Sequence, residues 1–371
     1  MRRVLGQTLL IVFLSTTLPV ATPAQEGPVE EGFGEDLEVT EVLLDVLVTD
    51  KQDRVILGLG PDDFVVSEEG EVVEITAVTF YSSKRLLESS EMLAKRGIAV
   101  DMVPQDRFFI LFVQQQRNTS AARSDLFDRQ LEAGRQLTSW LMEEAQSADR
   151  MAVLSFGNGL KVHQDFTADR QALLQAIDGA VRGRDPAKIP PSRRPQVESD
   201  PPALSRLPAG KELRRASRDV YRALRLVACA VKSVPGRKNL IFLGRGFGDI
   251  GTFGGYRPEL YRLNPTLEAL NNANVAVYTL DITPPGVRHN LQVSLRDLAA
   301  ATGGRFYYEQ RSFSGPLKKI SDLTSGYYLL SYQSRRSANE SGYQRVKVGT
   351  HNPEFRIQAR HGYLYGSQPQ P

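Results

Sequence analysis

Gly244-Arg245-Gly246-Phe247-Gly248-Asp249-Ile250-Gly251 follows the apolar run NLIFL and contains G-x-G-x-x-G from Gly246, with Asp281 at the end of the next apolar run. Such glycines let a pyrophosphate approach a helix N-terminus, and a later acid holds the ribose. The spacing rejects that chemistry: Gly246 to Asp281 is 35 positions against roughly 20 in the motif, and the next helical pattern starts only after Gly254-Gly255. A second polar stretch, Gln114-Gln115-Gln116-Arg117-Asn118-Thr119-Ser120, interrupts the run FFILFV where a buried strand should end. Three amides and a guanidinium there offer hydrogen bonds and positive charge, at the strand end where α/β proteins usually place carboxylates.

The remaining reactive side chains form no motif. His163, His289, His351 and His361 are scattered, and no pair has metal-ligand spacing. GxSxG, HExxH and GxxxxGK[ST] are absent. Cys229 stands alone in RLVACAVKS, so a disulfide within the chain is excluded and a small apolar helix residue is expected. Asp249, Asp281, Tyr256 and Tyr278 are the polar groups nearest the strand ends that an enzyme would use, and none shows a base or nucleophile partner in sequence. The sequence supports no catalytic residue, cofactor or metal.

The elements that position these loops follow from periodicity. At 371 residues and 41% hydrophobic side chains the chain can bury one large core and a smaller one. The formal charge is +3, and removing Arg2 and Arg3 leaves about +1, which gives no pull towards nucleic acid. Residues 1–24 read as a secretory signal: Arg2 and Arg3, an apolar stretch from Leu9 to Val20, then small residues. Ser15, Thr16, Thr17 and Pro19 make that stretch a poor bilayer span, and no other segment can cross a membrane. A secreted or periplasmic protein without a lipid-bearing cysteine is expected.

After a polar leader (25–36), an N-terminal β unit is predicted over 37–82 from β-branched runs punctuated by Asp53, Gly58, Gly60 and Gly70. A mixed linker (83–106) leads to an α/β domain (107–325). There FFILFV, MAVLSF, NLIFL and VAVYTLDI alternate with helical patterns. Gly157-Asn158-Gly159 joins MAVLSF to LKVHQDF as a hairpin. A helix with Thr167 as N-cap, and another from about Lys211 to Lys232, are expected. The pattern predicts a doubly wound, mostly parallel sheet with an antiparallel edge strand. Seven prolines between Arg182 and Gly210 make 184–210 an exposed, semi-rigid loop. The strand-like runs YYLLSYQS, YQRVKV and FRIQAR in 326–365 should pack with the N-terminal unit, before a short tail (366–371).

At its two strand-end loops the chain resembles a von Willebrand factor A domain, and more closely the exported bacterial type labelled the VWFA-related acidobacterial domain. The resemblance rests on VLLDVLVTDKQDRVILGLGPDDFVVSEEGE, RFFILFV with NTS, DRMAVLSFGNGLKVHQDFTADRQALLQAI, PGRKNLIFLGRGF, NANVAVYTLDI, LAAATGGRFY, SGYYLLSYQS and RIQARHGYLY, in order along nearly the whole mature chain. It implies an adhesion or protein-interaction module. Many such domains hold a divalent cation through D-x-S-x-S, a threonine from a later loop and an aspartate after the fourth strand. In that register Gln116 stands at the aspartate, Asn118 and Ser120 at the hydroxyl positions, and Arg245 at the later aspartate, while no threonine occurs between Arg182 and Leu213. The resemblance therefore implies a degenerate site without metal, with Gln116, Asn118, Ser120 and Arg245 facing an unidentified protein partner that offers an acidic group. An envelope enzyme with a dispersed site, or a component of a surface assembly using edge strands of the β domain, are the other readings.

Overall fold

FFILFV is apolar at every position because it forms the centre of a covered sheet. Strand β6 (Phe108–Gln114) is buried from Phe108 to Val113 and lies between two parallel neighbours, β7 (Arg150–Phe156) and β9 (Lys238–Gly244). Phe108, Ile110 and Phe112 enter one core and Phe109, Leu111 and Val113 the other, as the twofold alternation of a strand requires. These side chains belong to a computed structural model that describes residues 41–83, 103–116, 121–190, 197–250, 256–334 and 342–365. The expected signal, polar leader and tail, and most of the expected linker, lie outside the described residues.

The sheet continues with β12 (Val275–Asp281) and β13 (Phe306–Tyr307) beside β9, and with β8 (Leu160–Thr167) antiparallel to β7. Its order β13-β12-β9-β6-β7-β8 is that of a doubly wound fold. The Gly157-Asn158-Gly159 hairpin joins β7 to β8, with Gly159 at φ +123°. Helices α1 (Ala121–Glu143), α2 (Arg170–Val181) and α7 (Ser314–Leu323) cover one face, and α4 (Val220–Val231), α5 (Leu260–Asn272) and α6 (Gln292–Ala301) the other.

Two helix expectations are corrected. Asp169, not Thr167, caps α2: its carboxylate accepts from Ala172 N–H at 2.9 Å, because Thr167 still pairs with Met151 as the last residue of β8. The helix expected over Lys211–Lys232 divides into α3 (Gly210–Ala216) and α4. Ser217 leaves the helical path to accept from Leu160 N–H at 2.8 Å, and Asp219 restarts the helix by capping Arg222 N–H at 2.9 Å. The proline-rich loop also departs from a free excursion. Ala203 and Leu204 are buried, and the Asp165 carboxylate on β8 gathers the N–H groups of Ala203 and Ser205 at 2.9 and 2.8 Å.

The chain ends build the second body together. Strand β1 (Glu41–Thr49) pairs with β14 (Gly326–Gln333) and β16 (Arg356–Ala359), and β14 also takes β4 (Ile75–Ser82), which β5 (Val103–Pro104) extends within the expected linker. A second layer pairs β2 (Phe64–Glu68) with β3 (Glu71–Val73) and β15 (Gly342–Thr350), and β15 with β17 (Gly362–Tyr365). Leu44, Val46, Val66, Tyr328, Leu330 and Val346 share one core between the layers. Where the two bodies meet, the Asp53 carboxylate pairs with Arg305, Arg356 and Lys319 at 2.7, 3.3 and 3.6 Å. Among the described residues no helix is long and apolar enough to cross a membrane.

Candidate functional site

The C-terminal ends of β6, β9 and β12 bring three loops to one edge of the sheet, where open α/β folds form their crevice. The glutamines that end β6 each tie a different neighbour. Gln114 Oε1 accepts from the N–H groups of Arg245 and Gly246 at 2.9 and 3.2 Å, and its Nε2 donates to Gly246 O at 2.8 Å. Gln115 Nε2 donates to Ser155 Oγ on β7 and to Ala180 O at the end of α2, at 3.0 and 3.1 Å. Gln116 turns back: its Nε2 donates to Gln114 O at 3.1 Å, and its backbone N–H donates to Gln130 Oε1 of α1 at 2.8 Å. An amide suits this work because it carries donors and an acceptor without a charge to desolvate.

Of the residues expected at the site, Gln116 thus braces its own loop, and Asn118 and Ser120 lie outside the described residues. Arg245 sits at the β9 exit, half-buried, with no ion pair among the described residues and its Nε buried without a hydrogen-bond partner. The side chain that crosses to the Arg245 loop belongs to Gln114, which the motif register passed over. Its signal was its place as the first polar residue after the apolar run.

The nearest strand-end carboxylate, Asp281, is already engaged. It accepts from Thr283 N–H at 2.9 Å and contacts His289 Nε2 at 2.8 Å, and Thr283 Oγ1 lies 2.9 Å from the same nitrogen. Both side chains of the Asp281–His289 pair are almost fully buried, and His289 Nδ1 has no hydrogen-bond partner among the described residues. The sequence shows no partner for Asp281, and the structure supplies His289; nothing in a spacing of eight residues across Pro284-Pro285-Gly286 announced it. The other three groups an enzyme would use do not converge on it. Tyr278 is buried in the core beneath α1 and α7, Asp249 is exposed on β10 (Asp249–Ile250), and Tyr256 begins β11 (Tyr256–Arg257). Burial pushes the Tyr256 phenol above its ordinary range, the Asp297 charge adds to this, and the neighbouring Tyr221 is raised for the same first reason. Among the described residues, no group of three or more His, Cys, Asp or Glu could hold a metal ion.

Behind Gln115, Ser155 Oγ lies 2.8 Å from His163 Nε2. Burial, with the Lys161 charge in second place, lowers the His163 ring from 6.5 to about 4 against the opposing pull of Asp185. The folded state thus binds this proton less tightly than the unfolded chain. The stabilisation is complete above pH 6.5 and is lost as pH falls towards 4, by on the order of 2–3 kcal/mol. Urea midpoints measured across that window should fall in the wild type and fall less in His163→Gln. An unchanged slope in the variant would refute the assignment.

The strand-end face is ringed by exposed apolar side chains. Ile250 follows β9, Leu260 and Tyr261 open α5, Val287 follows β12 and Tyr308 follows β13, and Tyr261 is 71% exposed. Arginines lie among them: Arg257, Arg288 and Arg311 are exposed, and the Arg262 guanidinium stacks 5.3 Å from the Tyr261 ring centre. Aromatic residues and arginine are the types enriched in protein interfaces.

No family model matches the chain, and no curated protein matches it. Solved structures resemble it at low identity. A von Willebrand factor type A protein from Catenulispora acidiphila is 9% identical over 87% of this chain and 74% of its own, with a TM-score of 0.38. BatB from Bacteroides thetaiotaomicron is 14% identical over 59% of this chain and 97% of its own, at 0.37. The type V pili tip protein Mfa5 from Porphyromonas gingivalis, as its three N-terminal domains, is 9% identical over 89% of this chain and 66% of that one, at 0.37. These likenesses are too loose to assign a role to any residue.

Proposed function

We propose that the protein is an exported, non-catalytic interaction module of the von Willebrand A type, whose strand-end crevice works without a metal ion and receives an acidic group of a protein partner at Arg245. The observation that carries this reading is the ring of exposed Ile250, Leu260, Tyr261, Val287 and Tyr308, interleaved with arginines, around that crevice. Export follows from the character of residues 1–24.

Among the described residues the donors do not suit a divalent cation. Such ions want carboxylate oxygens. Among the described residues the two anchor positions of the resemblance hold Gln116, an uncharged amide whose Nε2 donates to Gln114 O, and Arg245, a guanidinium, while the nearby Asp281 carboxylate is engaged by Thr283 and His289. A cation about 4 Å from Arg245 would be repelled by roughly 4 kcal/mol per unit charge at an effective dielectric constant of about 20. The glutamine ties instead join the loops that an ion would otherwise join. Arg245 is half-buried with no ion pair among the described residues, and a guanidinium suits a carboxylate, which it can meet in bidentate geometry.

Two measurements test this reading. Calorimetric titration of the full chain with Mg²⁺ or Mn²⁺ should show no micromolar binding; a micromolar site abolished by Gln114→Ala or Gln116→Ala would sink the metal-free reading. Affinity capture from the native envelope fraction should retain a partner in the presence of chelator and lose it with Arg245→Ala or Tyr261→Ala. Capture that needs divalent ions, or that both variants leave intact, would overturn the proposal.

A further inference from the structure

The chain carries 46 bases against 43 acids, and that surplus is local. From Arg206 to Lys232 stand eight bases and only two acids, Glu212 and Asp219, which leaves 38 bases against 41 acids in the rest. Folding sets these bases in rows on the surface. Lys211, Arg214 and Arg215 share one face of α3 at i, i+3 and i+4, and Arg222, Arg225 and Lys232 share one face of α4 at i, i+3 and i+10. Arg218 lies in the break between the two helices. All are exposed except Arg225, which is half-buried, while the opposite faces bury Leu213, Leu224 and Val227 in the core. Other helical arginines have an acid three or four positions before them: Arg135 pairs with Glu132, Arg182 with Asp178 and Arg262 with Glu259. Here only Arg222 has an ion pair among the described residues, with Asp219 at 3.7 Å. Like charges three or four apart repel, and Arg222 stands in the first turn of α4, where the helix dipole favours acids. The rows therefore weaken their own helices, and nothing among the described residues neutralises them.

The chemistry of the rows limits what neutralises them. Arginine predominates, and its planar fork meets an oxyanion in bidentate geometry. No large apolar side chain between Arg206 and Lys232 is exposed, and Tyr221 is buried. A protein partner finds no anchor there, a single-stranded nucleic acid no ring to stack on, and a membrane no side chain to take up. We propose that this face binds a linear acidic polysaccharide, whose successive carboxylate or sulfate groups lie along the bases of α3 and α4. The inference is independent of the strand-end face, since it uses none of the residues placed there.

The test uses the full chain and two fluorescein-labelled probes of equal length, a polygalacturonate and a dextran sulfate oligomer, followed by anisotropy with neutral dextran as the control. Saturable binding of at least one at or below roughly 10 µM is expected at low salt, and the tighter of the two names the anionic group. The logarithm of the binding constant should fall with the logarithm of salt concentration with a slope of about −3 or steeper. Arg214→Gln with Arg215→Gln, and separately Arg218→Gln with Arg222→Gln, should each weaken binding about fivefold or more and lessen that slope by about 1.4. Arg135→Gln with Arg182→Gln, on other helices, should leave binding unchanged, as should Arg245→Ala, which tests the strand-end reading. Circular dichroism checks each fold, and either double variant serves if the other does not fold. No saturable binding up to about 1 mM, or binding that both double variants leave intact, would overturn the proposal. So would loss of binding with Arg245→Ala, or tighter binding of duplex DNA, polyglutamate or phosphatidylglycerol vesicles at the same salt, which would assign the rows to another class of partner.

Discussion

Asp149→Ala should destabilise the protein by about 3–5 kcal/mol, the loss that follows when one partner of a buried ion pair is removed. Arg107 Nε and Nη2 meet the two Asp149 oxygens at 2.8 and 2.6 Å, with side chains 5% and 2% exposed. The same carboxylate accepts from Gln146 N–H at 2.7 Å, and Arg107 Nη1 donates to Ser321 O of α7 at 3.1 Å. The pair therefore ties the starts of β6 and β7 to a helix, and alanine would leave an uncompensated guanidinium beside Phe109. Urea unfolding measures the loss, and a value under about 1 kcal/mol would mean that water reaches the pair. The double variant Arg107→Met with Asp149→Leu should recover most of it, because the uncompensated charge leaves with its partner.

Gly246→Ala should cost on the order of 3 kcal/mol and take partner binding with it. The residue has φ +103°, and a Cβ there would stand 2.3 Å from Leu291 O and 3.0 Å from Ser294 Oγ. Ser294 Oγ accepts from Phe247 N–H at 3.0 Å, so the loop is clamped between the Gln114 amide and the start of α6. A methyl group must lift the loop from one side or the other, which would displace Arg245. Gly286→Ala is the comparison: φ is +82° with nothing within 4 Å of the added carbon, so only the backbone cost of about 1–2 kcal/mol is expected. Equal losses in the two variants, read by urea unfolding, would show that the clamp is soft.

The strand-end crevice was legible because a central strand is apolar throughout and its first polar residue marks the exit. That argument located FFILFV, NLIFL and VAVYTLDI, and with them the loops carrying Gln116 and Arg245. It could not separate Gln114 from Gln116, since a strand boundary is uncertain by a residue or two until the hydrogen bonds are seen. Thr167 was misread for the same reason: the β8 ladder runs one residue past LKVHQDF to include it, and the cap falls two residues on, at Asp169. Local propensity also favoured one helix over Lys211–Lys232, and a contact from Ser217 to a strand 57 residues away divided it.

The amino-acid sequence by itself determined the alternation of strands and helices, the antiparallel hairpin and the absence of a recognisable catalytic or metal motif. These depend on periodicity and turn chemistry, which act over a few residues. The tertiary structure decided which amide crosses to the Arg245 loop, that His289 meets Asp281, that the proline-rich loop lies along β8, and that both chain ends share one β core. Each of those joins residues far apart in the chain or turned by a loop, and the directions of side chains across such a gap are set by packing, not by spacing.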